Sequence, residues 1–350
     1  MYNPARPWLV RIVRMAPVVA LCWSGAAVAQ DDPAEFYRGR TISIHVGLPP
    51  GGSFDAYARL IAAHLPKYVP GEPGVIVQNM PGAGSLRAAN FVYAVAPQDG
   101  TAIGAMSSNV PLQPLTEPRG VRYDLSKINW LPTPARSPNT LVVWHTSAIK
   151  RFDDIRQREA VIGSLAPGSS PTIAISLYKH VLGAKIRAVL GYNGLPEAII
   201  AMERGEIDGY PTIPFDTLQR VYAEQWKSGK LRVLAQNGEA RLPELSDVPT
   251  MVELASGDAD KRLISLATMT SRMTFPYIMG PDVPRARVNA IRAAMTRMYA
   301  DESFRKDAAA RQMMVDPVAT EQVEHLIREA YTAPPEVVQR LKDIVALQGQ

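Results

Sequence analysis

The chain has 350 residues, 47% of them hydrophobic and 20% charged, with a formal net charge of +5 at pH 7. That length buries one or two sizeable cores. A single cysteine excludes an internal disulfide framework, and the small basic surplus gives no argument for nucleic acid as a partner.

The chain opens as an export leader does. Arg6, Arg11 and Arg14 form a basic start, and Met15 to Trp23 is largely apolar. Gly25-Ala26-Ala27-Val28-Ala29-Gln30 then places small residues at Ala27 and Ala29, which predicts a signal peptide over 1–29 cleaved after Ala29. The apolar run is shorter than the roughly 20 residues of a membrane span. Cleavage removes Cys22, the one cysteine, and with it thiol chemistry and thiolate zinc sites. Three of the 38 basic residues leave too, so 35 face 33 acidic ones and the charge falls to +2. The expected product is exported to the periplasm and held together by its core.

Beyond the leader the pattern alternates between strand and helix. Strands are expected at 41–46, 74–78 and 101–106. Tyr57, Leu60, Ile61 and Leu65 mark a one-sided helix after the first strand, and a second helix covers about 85–96. This order predicts a parallel sheet covered by helices. Over 110–140 six prolines break the rhythm, as a crossing between lobes would. Alternation resumes with strands at 141–144, 161–162, 186–190, 207–210 and 231–235 and helices at 171–182 and 196–204. A strand at 274–279 is expected to return to the first lobe, followed by helices near 284–299, 302–312 and 319–330.

Three strand-to-helix loops hold the candidate chemistry. Gly51-Gly52-Ser53-Phe54-Asp55 lacks the lysine of a phosphate loop, and Asp55 would repel a triphosphate. Ser53 is placed as the N-cap of a helix whose first amides are free donors, so the loop reads as a plain capped turn or as a small-carboxylate site. Gly82-Ala83-Gly84-Ser85-Leu86-Arg87 approaches a dinucleotide turn, but Arg87 stands where close packing needs the third glycine. It reads as a structural turn. In the third loop Ser164, Gly168 and Ser169 precede Ser170, placed as N-cap, and Pro171 at the first helical position.

Catalytic constellations are missing. His45, His64, His145, His180 and His325 are scattered without H-E-x-x-H, and G-x-S-x-G is absent. Glu203, Glu206 and Asp208 read as solvated charges. No catalytic residue, metal ligand or cofactor is assigned.

Taken in order, the loops resemble the solute-binding proteins of tripartite tricarboxylate transporters, the Bug family. Pro49 to Asp55 followed by Ala58-Arg59-Leu60 is similar to its P-P-G-G-S-x-D-x-x-A-R-L signature, and Asn79-Met80-Pro81-Gly82-Ala83-Gly84 to its N-x-P-G-A-G turn. Ala96 to Thr101 is similar to P-D-G-x-T with one residue more, and Gly191-Tyr192-Asn193-Gly194 to Y-K-G-G. Gly205 to Asp208 resembles G-x-[IV]-D, and Pro243 to Thr250 resembles L-P-D-V-P-T. The likeness runs from about Phe36 to Pro335.

The resemblance implies an α/β, two-lobed periplasmic-binding-protein fold of type II (a Venus flytrap), each lobe a helix-covered sheet. The expected first lobe is 36–138 plus 240–350 and the second 139–239. It further implies a monomer without cofactor that closes on a small carboxylate and delivers it to membrane subunits. Loop amides, hydroxyls and waters hold the ligand in that family. The matching positions here are Gly51, Gly52, Ser53, Phe54 and Asp55, then Ser107, Ser108 and Asn109, and in the second lobe Ser164, Gly168, Ser169, Ser170, Tyr192 and Thr212. Asp55 is assigned to orienting its loop, because a free carboxylate would oppose an anionic ligand. A sensor presenting the ligand to a receptor, and an exported enzyme acting on a carboxylate, are the alternative readings.

Overall fold

Two five-stranded sheets organise the chain. The computed structural model describes residues 32–116, 118–165, 169–238 and 240–347, so the leader, its cleavage site and Gly168 lie outside the described residues. In chain order β1 (Thr41–Val46), β2 (Gly74–Asn79), β3 (Ala102–Ala105) and β4 (Asn129–Leu131) enter the first sheet. The second takes β5 (Asn139–Trp144), β6 (Ala160–Gly163), β7 (Ile186–Val189), β8 (Gly209–Pro214) and β9 (Leu231–Asn237). The last strand, β10 (Tyr277–Met279), returns to the first.

The sheet orders are β2-β1-β3-β10-β4 and β7-β6-β8-β5-β9. Each contains the same parallel trio, with the earliest strand in the middle. The other two strands join by antiparallel pairing: β10 pairs with β3 and β4, and β5 with β8 and β9, so β10 and β5 alone run against the trio. In such a trio the chain steps to one side of the middle strand and then to the other. The carboxyl ends of the strands beside that reversal are where open α/β sheets bind ligands. The loops after β1, β3 and β6 lie at these ends.

The strands follow from their residues. In β1 Ile42, Ile44 and Val46 are buried with His45 between them, as a central strand covered on both faces demands. β2 is an edge strand, and Gly74, Ile76 and Gln78 on one face are exposed. One core lies under the helices Ser53–His64 and Arg285–Ala300. A second lies under Leu195–Glu203 and Phe215–Arg220. The largest is continuous from Trp130 in the first sheet to Leu141 and Ile162 in the second.

Several elements depart from the sequence reading. The proline-rich stretch contains β4, so the passage between sheets narrows to 132–138. After β9 the chain stays with the second sheet: Gln236 bridges to Thr250, and its amide donates to Leu245 O and Val248 O at 2.9 and 2.7 Å. Residues 240–268 lead into the passage 269–276, which returns the chain to the first sheet at β10. The unread helix Pro335–Ala346 packs against Ser170–His180 of the second sheet as well as Gln113–Thr116 of the first part of the chain. Where the passages run side by side, Ser137 N donates to Thr274 Oγ1 at 3.0 Å and Thr274 Oγ1 to Ser137 O at 3.3 Å. Ser137 Oγ donates to buried Asp216 at 2.6 Å, whose other oxygen accepts from Arg220 at 2.8 Å. Among the described residues no helix is long and apolar enough to cross a membrane.

Candidate functional site

The loop after β1 is shaped by Asp55. Its Oδ2 accepts from Gly51 N and from Arg59 Nε, each at 2.9 Å, and its Oδ1 accepts from Asn79 Nδ2 at 2.9 Å. Asn79 Nδ2 also donates to Leu48 O at 3.0 Å, so the end of β2 holds the loop from below. Burial by itself raises the Asp55 pKa. Arg59, the Gly51 amide and Asn79 together outweigh it and leave the carboxyl below its ordinary range. Arg59, the cation of this loop, is therefore answered by Asp55.

Ser53 is not the cap. Gly52 is the N-cap, extended at φ −83° and ψ 173°, and no side chain caps the helix. Asp55 folds back to the Gly51 amide from inside the first turn, which removes the need for a capping hydroxyl. The first intrahelical bond runs from Ala56 N to Gly52 O at 2.9 Å, so the amides of Ser53, Phe54 and Asp55 precede it. Gly51 adopts φ +87°, a left-handed conformation, and it, Gly52 and Ser53 are exposed. Phe54 turns inward and meets Phe275 edge-on at 4.8 Å.

The Gly82 turn proves to be the keystone of this half. Ala83, Gly84 and Ser85 have φ of 45°, 58° and 76°, a left-handed run that costs energy at the two non-glycine residues. Gln113 Nε2 holds the run by donating to Ala83 O and Gly84 O at 3.3 and 3.2 Å, and Tyr123 Oη donates to Gln113 Oε1 at 3.1 Å. The run delivers Ser85, fully buried, between two loops. Its Oγ donates to Gly47 O and accepts from Ser107 N, both at 3.0 Å. Sequence reasoning missed Ser85, Gln113 and the role of Asn79. The quoted Asn79–Gly84 motif was the available signal.

The loop after β3 continues from Ser107 to Ser108 and Asn109, all half-buried. Asn109 N donates to Ser107 Oγ at 3.4 Å, and Asn109 O accepts from Leu112 N and Gln113 N at 2.9 and 3.1 Å. This leaves the Asn109 side chain to reach outward. Its Oδ1 accepts from Ser170 Oγ at 2.9 Å and thereby joins the two sheets' loops.

On the second side the cap also moves by one residue. Ser169 is the N-cap, extended at φ −78° and ψ 155°, and Ser170 begins the helix Ser170–His180 with Pro171 following. Ser169 Oγ bonds Thr172 Oγ1, which bonds Ser164 Oγ, both at 2.8 Å. Ser164 is fully buried, and its backbone meets Val189 O and Tyr192 N at 2.8 and 3.2 Å. Tyr192 lies over Gly163, where an added Cβ would stand 3.1 Å from the ring. Burial, then the charges of Glu206 and Glu197, push its hydroxyl pKa up. Thr212 lies inside β8, not beyond it, and makes no side-chain hydrogen bond among the described residues. The structure thus brings together Ser107, Asn109, Ser164, Ser169, Ser170 and Tyr192.

Among the described residues no cluster of histidine, cysteine, aspartate or glutamate could hold a metal ion. What the arrangement offers is donors: amides at two helix starts and a set of hydroxyls, with the positive ends of two helix dipoles behind them.

Residues 58–343 match the family described as TctC, tripartite tricarboxylate transporter family receptor. Protein BugT of Bordetella pertussis is 28% identical over 70% of this chain and 75% of its own length. Among solved structures, R. palustris Rpa4515 with adipate has a TM-score of 0.62 at 21% identity, covering 88% of this chain and 97% of that one. MatC from Rhodopseudomonas palustris with bound malate has a TM-score of 0.61 at 19% identity, covering 87% and 99%. The fold is that of the two-lobed periplasmic binding proteins, and the chain belongs to the tripartite tricarboxylate transporter receptor family.

Proposed function

We propose that this protein captures a small carboxylate between its two loop clusters and delivers it to the membrane subunits of a tripartite transporter. The observation that carries the reading is the Asn109–Ser170 hydrogen bond, which sets the loop after β3 against the helix start after β6. A carboxylate entering there would accept from the first amides of Ser53–His64, from Ser170 N and from the hydroxyls of Ser107, Ser108 and Ser169. The charge of Arg59 is already met by Asp55, so binding rests on dipoles and hydrogen bonds. Adipate and malate, bound by the two R. palustris proteins, are both dicarboxylates, which supports that class of ligand.

The lobes in this reading are the two sheets with their helices, and the hinge is the pair of passages 132–138 and 269–276. Export with cleavage after Ala29 and action as a monomer complete it. The test is a thermal-shift screen of the chain from Gln30 onward, stripped of co-purified ligand, against mono-, di- and tricarboxylates. A ligand at 100 times its Kd adds about 2.7 kcal/mol, which raises Tm by several degrees in a chain this size. A flat response to every carboxylate overturns the proposal.

A further inference from the structure

Two cavities open away from the loops, on either side of a wall that Arg272 and Leu326 share. One, of about 390 Å³, lies among the helices Asp258–Thr268 and Thr320–Tyr331 and the start of Pro335–Ala346. Leu266, Met269, Leu326, Ala330 and Val337 give it an apolar floor. Its rim carries Lys261, Arg262 and Arg272 against a single acid, Glu329. Glu329 accepts from Arg272 at 3.0 Å and is answered within the rim. Lys261 and Arg262 are exposed, and neither makes an ion pair among the described residues.

An apolar floor below a positive rim fits one ligand chemistry, an apolar tail ending in one carboxylate. A di- or tricarboxylate would press a charge onto the apolar floor without a partner, which opposes its binding. A neutral hydrophobe would leave the two cations unused. The volume sits near the low end of the roughly 300–1,000 Å³ of small-molecule pockets. It is too small for a helix of about 10–12 Å diameter.

We infer that this cavity is a second binding site, for an aliphatic monocarboxylate of medium chain length, distinct from the site between the loops. Its walls belong to different sides of the molecule. Thr320–Tyr331 packs on β4 of the first sheet, whereas Asp258–Thr268 packs on Met251–Leu254, which lies against β9 of the second. Met269 and Arg272 are on the passage between them. An occupant touches both sides of that passage, so its binding is coupled to whatever moves one sheet against the other, and the coupling is reciprocal.

The test is calorimetric titration of sodium decanoate, below its micellar concentration, into the exported protein. The expected result is saturable binding at one site. Lys261→Glu with Arg262→Glu, both exposed, should weaken it on the order of tenfold. Ser265→Trp should abolish it by filling the cavity, while Ser170→Trp at the loops should retain saturable one-site binding, its affinity shifted only by the coupling. Absence of saturable binding, equal affinity in the double charge reversal, or loss in Ser170→Trp would each overturn the inference. Should Ser265→Trp fail to fold, the charge reversal and the loop variant still decide.

Discussion

Asn109 and Ser170 stand 61 positions apart in the chain and 2.9 Å apart in space, joined from Ser170 Oγ to Asn109 Oδ1. Each belongs to a different sheet's loop, so the bond reports directly on how the two sides meet. A neutral hydrogen bond contributes about 1 kcal/mol net. Asn109→Ala and Ser170→Ala should each weaken carboxylate binding about fivefold, read by calorimetry. The double variant should lose scarcely more than either alone. Strict additivity in that cycle would show that the two side chains do not meet in solution.

Asp55 predicts an acid limb to the stability curve. Its folded pKa lies below the unfolded value, so its stabilisation is present above the unfolded pKa and is lost as pH falls through the folded one. With an unfolded carboxylate near 3.9, the loss sets in below about pH 4. Asp55→Asn should lower the urea midpoint at pH 7 and flatten the decline at low pH. An unchanged acid limb in the variant would remove Asp55 from the account.

His45 acts at a milder pH. It is buried beside Phe91, with ring centroids 4.9 Å apart, and Nδ1 has no hydrogen-bond partner among the described residues. Burial lowers its pKa, so the unfolded chain takes up the proton first and stability falls as pH drops below about 6.5. His45→Phe should be less sensitive between pH 7.5 and 5.5 in chemical denaturation. An identical slope in both proteins would count against a neutral buried imidazole.

Gly47 and Ser85 form a fitted pair. A Cβ on Gly47 would stand 2.3 Å from Ser85 Oγ, so Gly47→Ala should destabilise by about 1–3 kcal/mol. Adding Ser85→Gly removes the Oγ and Cβ contacts and relieves the strain of φ 76°, and should recover part of that loss. Urea unfolding of the two single variants and the double variant measures it; no recovery would place the cost elsewhere.

Much of this was legible locally. The β-branched runs marked β1, β2, β5 and β9, and the small-residue loops marked the helix starts. Helix caps at Gly52 and Ser169 were misplaced by one residue, because the cap depends on where φ and ψ turn helical, and hydroxyl chemistry at Ser53 and Ser170 does not settle that. Val337, Leu341, Ile344 and Val345 carry the helical spacing of Pro335–Ala346, the same signal that marks the earlier helices. Ser85 was illegible for a different reason. A left-handed serine has meaning only once Gly47 and Ser107 are known to lie on either side of it, and neither is near it in sequence.

The two passages between the sheets are bonded to each other at Ser137 and Thr274, and one is moored to Asp216. Segments zipped side by side bend as one ribbon. As the proposed hinge, they would resist independent sliding of the sheets and favour rotation about a single axis. Such a rotation would bring Ser170 back to Asn109, so the registration of the two sides would be set by the ribbon before any ligand arrives.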